Sequence, residues 1–499
     1  MFEKVTPEMV GVSSEHVKKY IEILEKANLS THNVVMIRDG KIFYEAYWKP
    51  FHKDFLHRMY SVSKSFVSIA IGLLAEDGLI DLDAPMVSYI DESYIKNANK
   101  YVKKQTIRDM LMMCTGYPKE KEPFFSRKPE DRLKDYFDSS SSDGYQPRYP
   151  GSIFSYDSHG SFVLGAIVEI VTGKKLMDFL RERIFDKIGV SKEAYCLTCP
   201  GGHSWGDSAV LCKARDLAKM CQLMLRKGEW EGEQLLDKNY AEKATSNLVS
   251  TDQVGHLIPG AHGYGYQFWR TRNNSFYFNG MGSQYGICIP DKNMIFVVNS
   301  DNQGHPRPDM VIIDRFFEEI VEKAKDEPLP ENKEAYDKIC EMAENLELFS
   351  LKNEITQNVS DKINGREYKL EENPMGITKI KFTFENDEGK LEYTNAQGDK
   401  TIYFGIGKNV FGKFPQEGYA DNVATKFAPG NYYDCAASAF WSHEDCLIML
   451  VQIIDKYFGR LHVRFAFKEN GEKIVLFMDK IAEDFLSEYE GYAEGRATI

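Results

Sequence analysis

Ser61 and Lys64, in the stretch RMYSVSKSF (58–66), have the residue types and the spacing of a nucleophile and its base. A serine attacks an acyl carbon only if a base within hydrogen-bond reach takes its proton and backbone donors meet the oxyanion. On a helix, residues i and i+3 share a face, so Lys64 can present its amine to the Ser61 oxygen. The positive helix end and partial burial favour the uncharged amine, the form that accepts a proton. The first N–H groups of such a helix point outward, toward a developing anion. The pair also fits an ordinary helix cap with a solvated lysine, because caps are common. Ser93 and Lys96 repeat the spacing, but no apolar helix follows them.

A second proton carrier near the leaving atom would complete the chemistry. Tyr156, in PGSIFSYDSHG (150–160), stands on a Pro-Gly loop just before an apolar helix and could shuttle that proton. The competing role is a packing aromatic, as for most of the 28 tyrosines.

These residues need elements to hold them. SFVSIAIGLLAED (65–77) places Phe66, Ile69, Ala70, Leu73 and Leu74 on one helical face, and Gly78 offers a stop. Further helices are expected over 14–27, 106–113, 160–173, the following KLMDFLRERIFDKIG, 211–228 and 309–327. Asp39-Gly40 between two apolar runs signals a hairpin, since both residues tolerate positive φ. FYFN (276–279), YGICI (285–289) and MIFVVN (294–299) read as strands, and the charged, Ser-rich run 118–150 as a long surface loop. A Pro-Glu-rich break near 326–332 suggests a first domain over 1–326, a connector helix over 327–350 and a β-rich domain over 351–499. In the last, about eight short strands without intervening helices point to an antiparallel sheet or small barrel.

Composition narrows the function classes. A chain of 499 residues with 43% hydrophobic and 27% charged residues has ample core material for two or three domains. A net charge of −13 without a sustained Lys/Arg cluster argues against nucleic acid and anionic membrane surfaces as partners. No apolar run approaches the ~20 residues of a bilayer span, and MFEKVTPEMVGVSSEHV lacks a basic-then-apolar leader. With nine scattered cysteines, these features set the expectation of a cytoplasmic protein with reduced thiols. Cys196, Cys199 and His203 lack a second local pair, so buried thiols are expected there rather than zinc, and no cofactor is expected.

Taken in order, TPEMVGVSSE, RMYSVSKSFVSIAIGLLAEDGLIDLDAP, TIRDMLMMCTG, PGSIFSYDSHGSFVLGAIVEIVTGKKL and HGYGYQFW resemble the serine β-lactamase-related hydrolases. That group is similar to class C β-lactamases, penicillin-binding DD-peptidases, carboxylesterases, D-aminopeptidases and nylon-oligomer hydrolases. The resemblance covers residues 6–325 and implies an α+β fold, an antiparallel sheet flanked by helices with a helical subdomain. The C-terminal addition is similar to a lipocalin-like barrel. Ser61 then matches the acylated serine, Lys64 its base and Tyr156 the first residue of Tyr-x-Asn.

The third element of the group, Lys-Thr-Gly or His-x-Gly, falls in FNGMGSQYG, with Gly280-Met281-Gly282 aligned to it. The resemblance implies that the Ser283 N–H joins that of Ser61 as the oxyanion hole; an alternative register puts Asn279 nearer the substrate. Two positions depart from the pattern. Ser158 replaces the usual asparagine, and Gly280 replaces the cation that would hold a β-lactam or peptide carboxylate.

The expected function is a serine hydrolase forming an acyl-enzyme on Ser61 and cleaving a small ester or amide, esterase-like. A D-amino-acid amidase or peptidase acting on short peptides, or a β-lactamase, is the alternative within enzymes. A catalytically weak ligand-binding or sensor module is the alternative outside them. Gln284 and His159 fit either pocket or structural roles, Trp269 core or pocket wall, and Asp77 and Asp81 cap and turn. The oligomeric state is left open.

Overall fold

The computed structural model describes residues 2–117, 130–141, 148–252, 262–418, 432–482 and 486–498. The chain divides into two compact units, Met1–Glu347 and Leu348–Ile499.

The first unit is built on a seven-stranded sheet. Its strands are β1 (Glu3–Lys4), β2 (Thr31–Arg38), β3 (Lys41–Tyr47), β4 (Trp269–Arg270), β5 (Phe276–Gly280), β6 (Gln284–Ile289) and β7 (Met294–Ser300). Their order is β1-β3-β2-β7-β6-β5-β4, antiparallel except for β1 against β3. β2, β6 and β7 are buried along their whole length, which is why they read as continuous apolar runs rather than alternating ones. Asp39 and Gly40 close the β2–β3 hairpin at φ 53° and 73°, the geometry that selects this dipeptide.

Helices cover both faces of the sheet. α1 (Ser14–Lys26) buries Val17, Tyr20, Ile21 and Leu24 with sheet residues Met36, Phe296 and Val298 and with Ile312, Phe316 and Ile320 of the run 308–321. That run contains two wide turns, Met310–Asp314 and Phe317–Val321, and is shorter than the expected helix over 309–327. On the other face α5 (Ala214–Leu225) packs on β2, β6 and β7, beside a helical group of α2 (Ser63–Glu76), α3 (Arg132–Ser139) and α4 (Ser158–Thr172). α2 and α4 pack together, and α5 sits so close to β6 that a Cβ on Gly286 would lie 2.6 Å from Cys221 Sγ.

α3 corrects one expectation. Asp131 caps it by accepting from the Lys134 N–H at 3.0 Å, and Leu133, Tyr136 and Phe137 are buried, so part of the expected surface loop is a packed helix. The Ser-rich flank hid the short amphipathic period from the sequence reading. The rest of the 118–150 stretch mostly lies outside the described residues. α6 (Lys333–Asn345), expected as a connector, buries Ala335 and Ile339 and packs on α1 within the first unit.

The second unit is a barrel. Its strands are β8 (Glu367–Leu370), β9 (Lys379–Glu385), β10 (Glu388–Asn395), β11 (Gly398–Ile406), β12 (Val410–Lys413), β13 (Asp434–His443), β14 (Cys446–Ile454), β15 (Phe458–Lys468), β16 (Lys473–Ala482) and β17 (Gly491–Ala497). The order β11-β10-β9-β8-β17-β16-β15-β14-β13 closes through parallel pairing of Gly405 with Ser438 and Ile406 with Ala439. Nine strands therefore form the closed wall, and β12 adds to β13. Closure removes the exposed edges of an open sheet. Phe382, Phe465, Phe467 and Trp441 fill part of the interior.

Candidate active site

The turn that carries Ser61 is tied down on every side. Arg58 is fully buried, its guanidinium 4.5 Å from the ring centroids of both Tyr60 and Trp205. Its Nε donates to the Ser208 carbonyl at 3.1 Å, and the Met59 N–H donates to the Val210 carbonyl at 2.8 Å. Ser63 Oγ accepts from the Val210 N–H at 3.0 Å, so residues 58–63 are laced to 208–210. Tyr60 adopts φ 48°, a left-handed conformation that costs a bulky residue on the order of 1–3 kcal/mol. Strain of this kind persists only where the surroundings over-determine it, immediately before Ser61 and the start of α2.

Lys64, in the first turn of α2, is 2% exposed. Its Nζ lies 2.9 Å from Ser61 Oγ and donates to the Asp207 carbonyl at 2.7 Å. The Tyr156 ring centroid is 5.1 Å from the same nitrogen. The amine is thus held between the serine hydroxyl, a carbonyl and an aromatic face. Asp207 is itself anchored, since Arg132 donates to both its carboxylate oxygens at 2.8 and 3.1 Å in a buried bidentate pair. α3 therefore positions the carbonyl that steers the lysine.

Tyr156 is 39% exposed and stacks on the buried Trp269, centroids 5.8 Å apart and planes 23° apart. Trp269 is a wall beneath the tyrosine as well as a member of the core. Asp157 caps α4 by accepting from the Gly160 N–H at 2.9 Å. Burial pushes its carboxyl above the usual range, against the hydrogen bonds from Gly160 and Thr115 and the charges of Arg148 and Lys64. Ser158 is the first residue of α4 and is half-buried. His159 is buried beside Tyr117 and Tyr136.

At the third element the structure separates the residues. A Cβ on Gly280 would lie 2.4 Å from the Met59 carbonyl oxygen, so the end of β5 runs against the turn that carries Ser61. Gly282 instead faces Ser300 and Asp301, and its carbonyl accepts from the Asn302 N–H at 3.1 Å. Ser283 is buried at φ 74° on that side of the turn. Asn279 is half-buried one residue before Gly280. Gln284 is fully buried and structural: its amide donates to the carbonyls of Met281 and Ser300 and accepts from the Ser300 N–H.

The sequence reading missed the supporting polar set. Gln267, buried at φ 64°, accepts at its carbonyl from Ser65 Oγ and at its side chain from Ser161 Oγ. Its Nε2 donates to the carbonyls of Met110 and Leu111, so one residue joins α2, α4 and the end of the short helix Ile107–Leu111. A glutamine inside the aromatic run YGYQFW was the available signal. Cys199 Sγ accepts from Arg132, and His203 Nδ1 lies 2.9 Å from Glu169 Oε2. Asp77 pairs with Arg183, and Asp81 accepts from the Asp83 N–H in a turn. No cluster of metal-ligating side chains occurs among the described residues. No helix among them is long and apolar enough to cross a membrane.

The chain is 26% identical over 298 residues to the 6-aminohexanoate-dimer hydrolase of Paenarthrobacter ureafaciens, a match covering 57% of this chain and 71% of that one. A Bacillus anthracis structure named as a candidate 6-aminohexanoate-dimer hydrolase aligns at TM-score 0.51 with 24% identity, covering 64% of this chain and 86% of that one. The octameric penicillin-binding protein homologue of Pyrococcus abyssi aligns at TM-score 0.50 with 16% identity, over 97% of this chain and 99% of that one. At such identities the structural likeness speaks for the fold, here including the barrel. The Beta-lactamase family model matches residues 17–315, well over half of the 499 residues, and this protein belongs to the Beta-lactamase family of hydrolases.

Proposed function

We propose that the protein is a serine hydrolase that forms an acyl-enzyme on Ser61 and cleaves a small ester, or less readily a small amide. The observation that carries this reading is the buried Lys64 amine 2.9 Å from Ser61 Oγ. Lys64 takes the Ser61 proton as the oxygen attacks the acyl carbon, and the Asp207 carbonyl keeps the amine in line. The Ser61 N–H is one oxyanion donor. The second comes from the main chain of 280–283, where the family resemblance points to the Ser283 N–H, and Gly280 packs this segment against the Ser61 turn. Tyr156, beside Lys64, passes a proton to the leaving group.

The substrate class rests on what the site lacks. Gly280 offers no cation for a β-lactam or peptide carboxylate, and Ser158 offers no amide donor to an acyl group. Met281 and Tyr156, each about 40% exposed, supply an apolar rim suited to short acyl chains. A small amide is the second substrate class, supported by the relative named for hydrolysing a dimer of an amino acid. A screen of short p-nitrophenyl esters, D-peptides and lactams, with the Ser61→Ala protein as control, tests the reading. Turnover of p-nitrophenyl butyrate that disappears in Ser61→Ala supports it. Equal turnover by both proteins would overturn it, and an absence of any labelling by fluorophosphonate would favour a binding module.

A further inference from the structure

The second half of α5 borders a pocket that shares no residue with the Ser61 site. Lys219, Gln222 and Arg226 follow one another at helical spacing up to the C-terminal cap of that helix. With Gly40 of the β2–β3 hairpin and Trp230 they line an open space of about 490 Å³, within the range of small-molecule sites. Trp230 stands on a short hairpin of Glu229–Trp230 paired with Glu233–Gln234 and supplies an aromatic wall.

Gln222 is the buried member of this lining, 4% exposed, and neither its Oε1 nor its Nε2 has a hydrogen-bond partner. Three other buried glutamines of the same unit behave differently. Gln105, Gln267 and Gln284 each donate from Nε2 and accept at Oε1. A buried amide left open at both ends destabilises the fold until something fills it. The last torsion of a glutamine is soft, so the amide edge can turn to a ligand in the pocket. A donor beside an acceptor is matched by a cis-amide edge, which sets its own C=O beside its own N–H.

The charged groups of the lining differ in what they are free to hold. Lys219 Nζ donates to the Gly189 carbonyl and lies 3.7 Å from Asp216 Oδ1, so its charge is already engaged. Arg226 Nη2 stands 3.7 Å from the place a Cβ on Gly40 would take, and its guanidinium has no hydrogen-bond or ion-pair partner among the described residues. A guanidinium carries donors only, and its best partner is a carboxylate or phosphate. Glu231, the acid of the lining, is exposed on the hairpin turn and screened by solvent.

We propose that this pocket binds a small planar anion whose ring carries a cis-amide edge, of the oxopyrimidine-carboxylate kind. Gln222 reads the amide edge, Trp230 stacks on the ring and Arg226 holds the carboxylate. The site stands independently of the acyl-enzyme reading.

Titration calorimetry of the full-length protein with orotate, uracil and benzoate tests it. Orotate carries both the amide edge and the carboxylate, uracil the first alone and benzoate the second alone. Orotate should bind about tenfold more tightly than either. Arg226→Gln should bring orotate down to the level of uracil, and Gln222→Leu should bring it down to that of benzoate. Gln222→Leu also removes the orphaned amide, so its melting temperature in the absence of ligand should match or exceed that of the unaltered protein. A marked fall in that temperature would mean that the fold already satisfies the amide, and would overturn the proposal. So would an absence of orotate binding to the unaltered protein, or an affinity that neither substitution lowers.

Discussion

In the proposed mechanism Lys64 is the residue on which the chemistry turns, and its neighbours define what each substitution does. Its amine touches Ser61 Oγ, the Asp207 carbonyl and the face of Tyr156. Lys64→Ala should lower kcat/KM for p-nitrophenyl butyrate by about 10³-fold with little change in KM, because it removes a base rather than a binding contact. Steady-state kinetics on the purified variant checks this. Tyr156→Phe should behave differently with different leaving groups. An anilide needs a proton on its departing nitrogen and should lose about 10²-fold, while a p-nitrophenyl ester, whose leaving group departs as an anion, should lose far less. Comparable losses on both substrates would reassign Tyr156 to packing. Both residues were legible in the sequence because Ser61 and Lys64 are one helical turn apart and Tyr156 immediately precedes a long apolar helix. The supports were not legible: Arg132 meets Asp207 across 75 residues, and Ser65 meets Gln267 across 202. Local spacing carries no trace of such partners.

At the scale of elements, the site depends on how closely β5 and α3 approach the start of α2. Gly280→Ala would put a methyl group 2.4 Å from the Met59 carbonyl oxygen. Either the strand or the turn must retreat, at a cost of about 1–3 kcal/mol, and the proposed oxyanion donors move with it. The expected result is a folded protein with a modestly lower melting temperature and a large loss of kcat, read by thermal melting and ester kinetics together. Arg132→Met should cost about 3–5 kcal/mol, because it leaves the Asp207 carboxylate buried without its partner. Urea denaturation measures that loss. The main helices and the sheet strands followed from apolar period and the Asp39-Gly40 hairpin. β8 and β17 escaped the sequence reading: Glu367–Leu370 is very short and GYAEGRA carries two glycines and three polar residues. What makes them strands is their pairing with each other, Tyr368 opposite Ala497, at opposite ends of the unit's chain.

For the whole molecule, pH dependence of stability follows from groups the fold has buried. His57 is fully enclosed and burial lowers it from 6.5 to about 3, although a hydrogen bond to the Arg58 carbonyl pulls the other way. Its Nδ1 donates to that carbonyl at 2.9 Å, which leaves Nε2 to accept from His32 Nδ1 at 2.8 Å. A group depressed in the fold binds protons first in the unfolded chain, so stability is full above pH 6.5 and falls as pH drops from 6.5 toward 3. Glu45 and Glu169 add a second slope. Burial alone would raise both, but hydrogen bonds from Arg215 to the first and from His203 and Ser204 to the second hold each down to about 2. Their contribution is present above 4.5 and is lost as pH falls toward 2. The urea midpoint of the full chain should therefore decline from pH 7 to 5 and more steeply below 4.5, and His57→Gln should flatten the first part. The central claim is tested most directly by the intact mass of the full-length protein after incubation with a fluorophosphonate, followed by peptide mapping. The expected result is a single adduct on Ser61, absent from Ser61→Ala and slowed in Lys64→Ala; an adduct on another serine, or labelling of Ser61→Ala to the same extent, would contradict it.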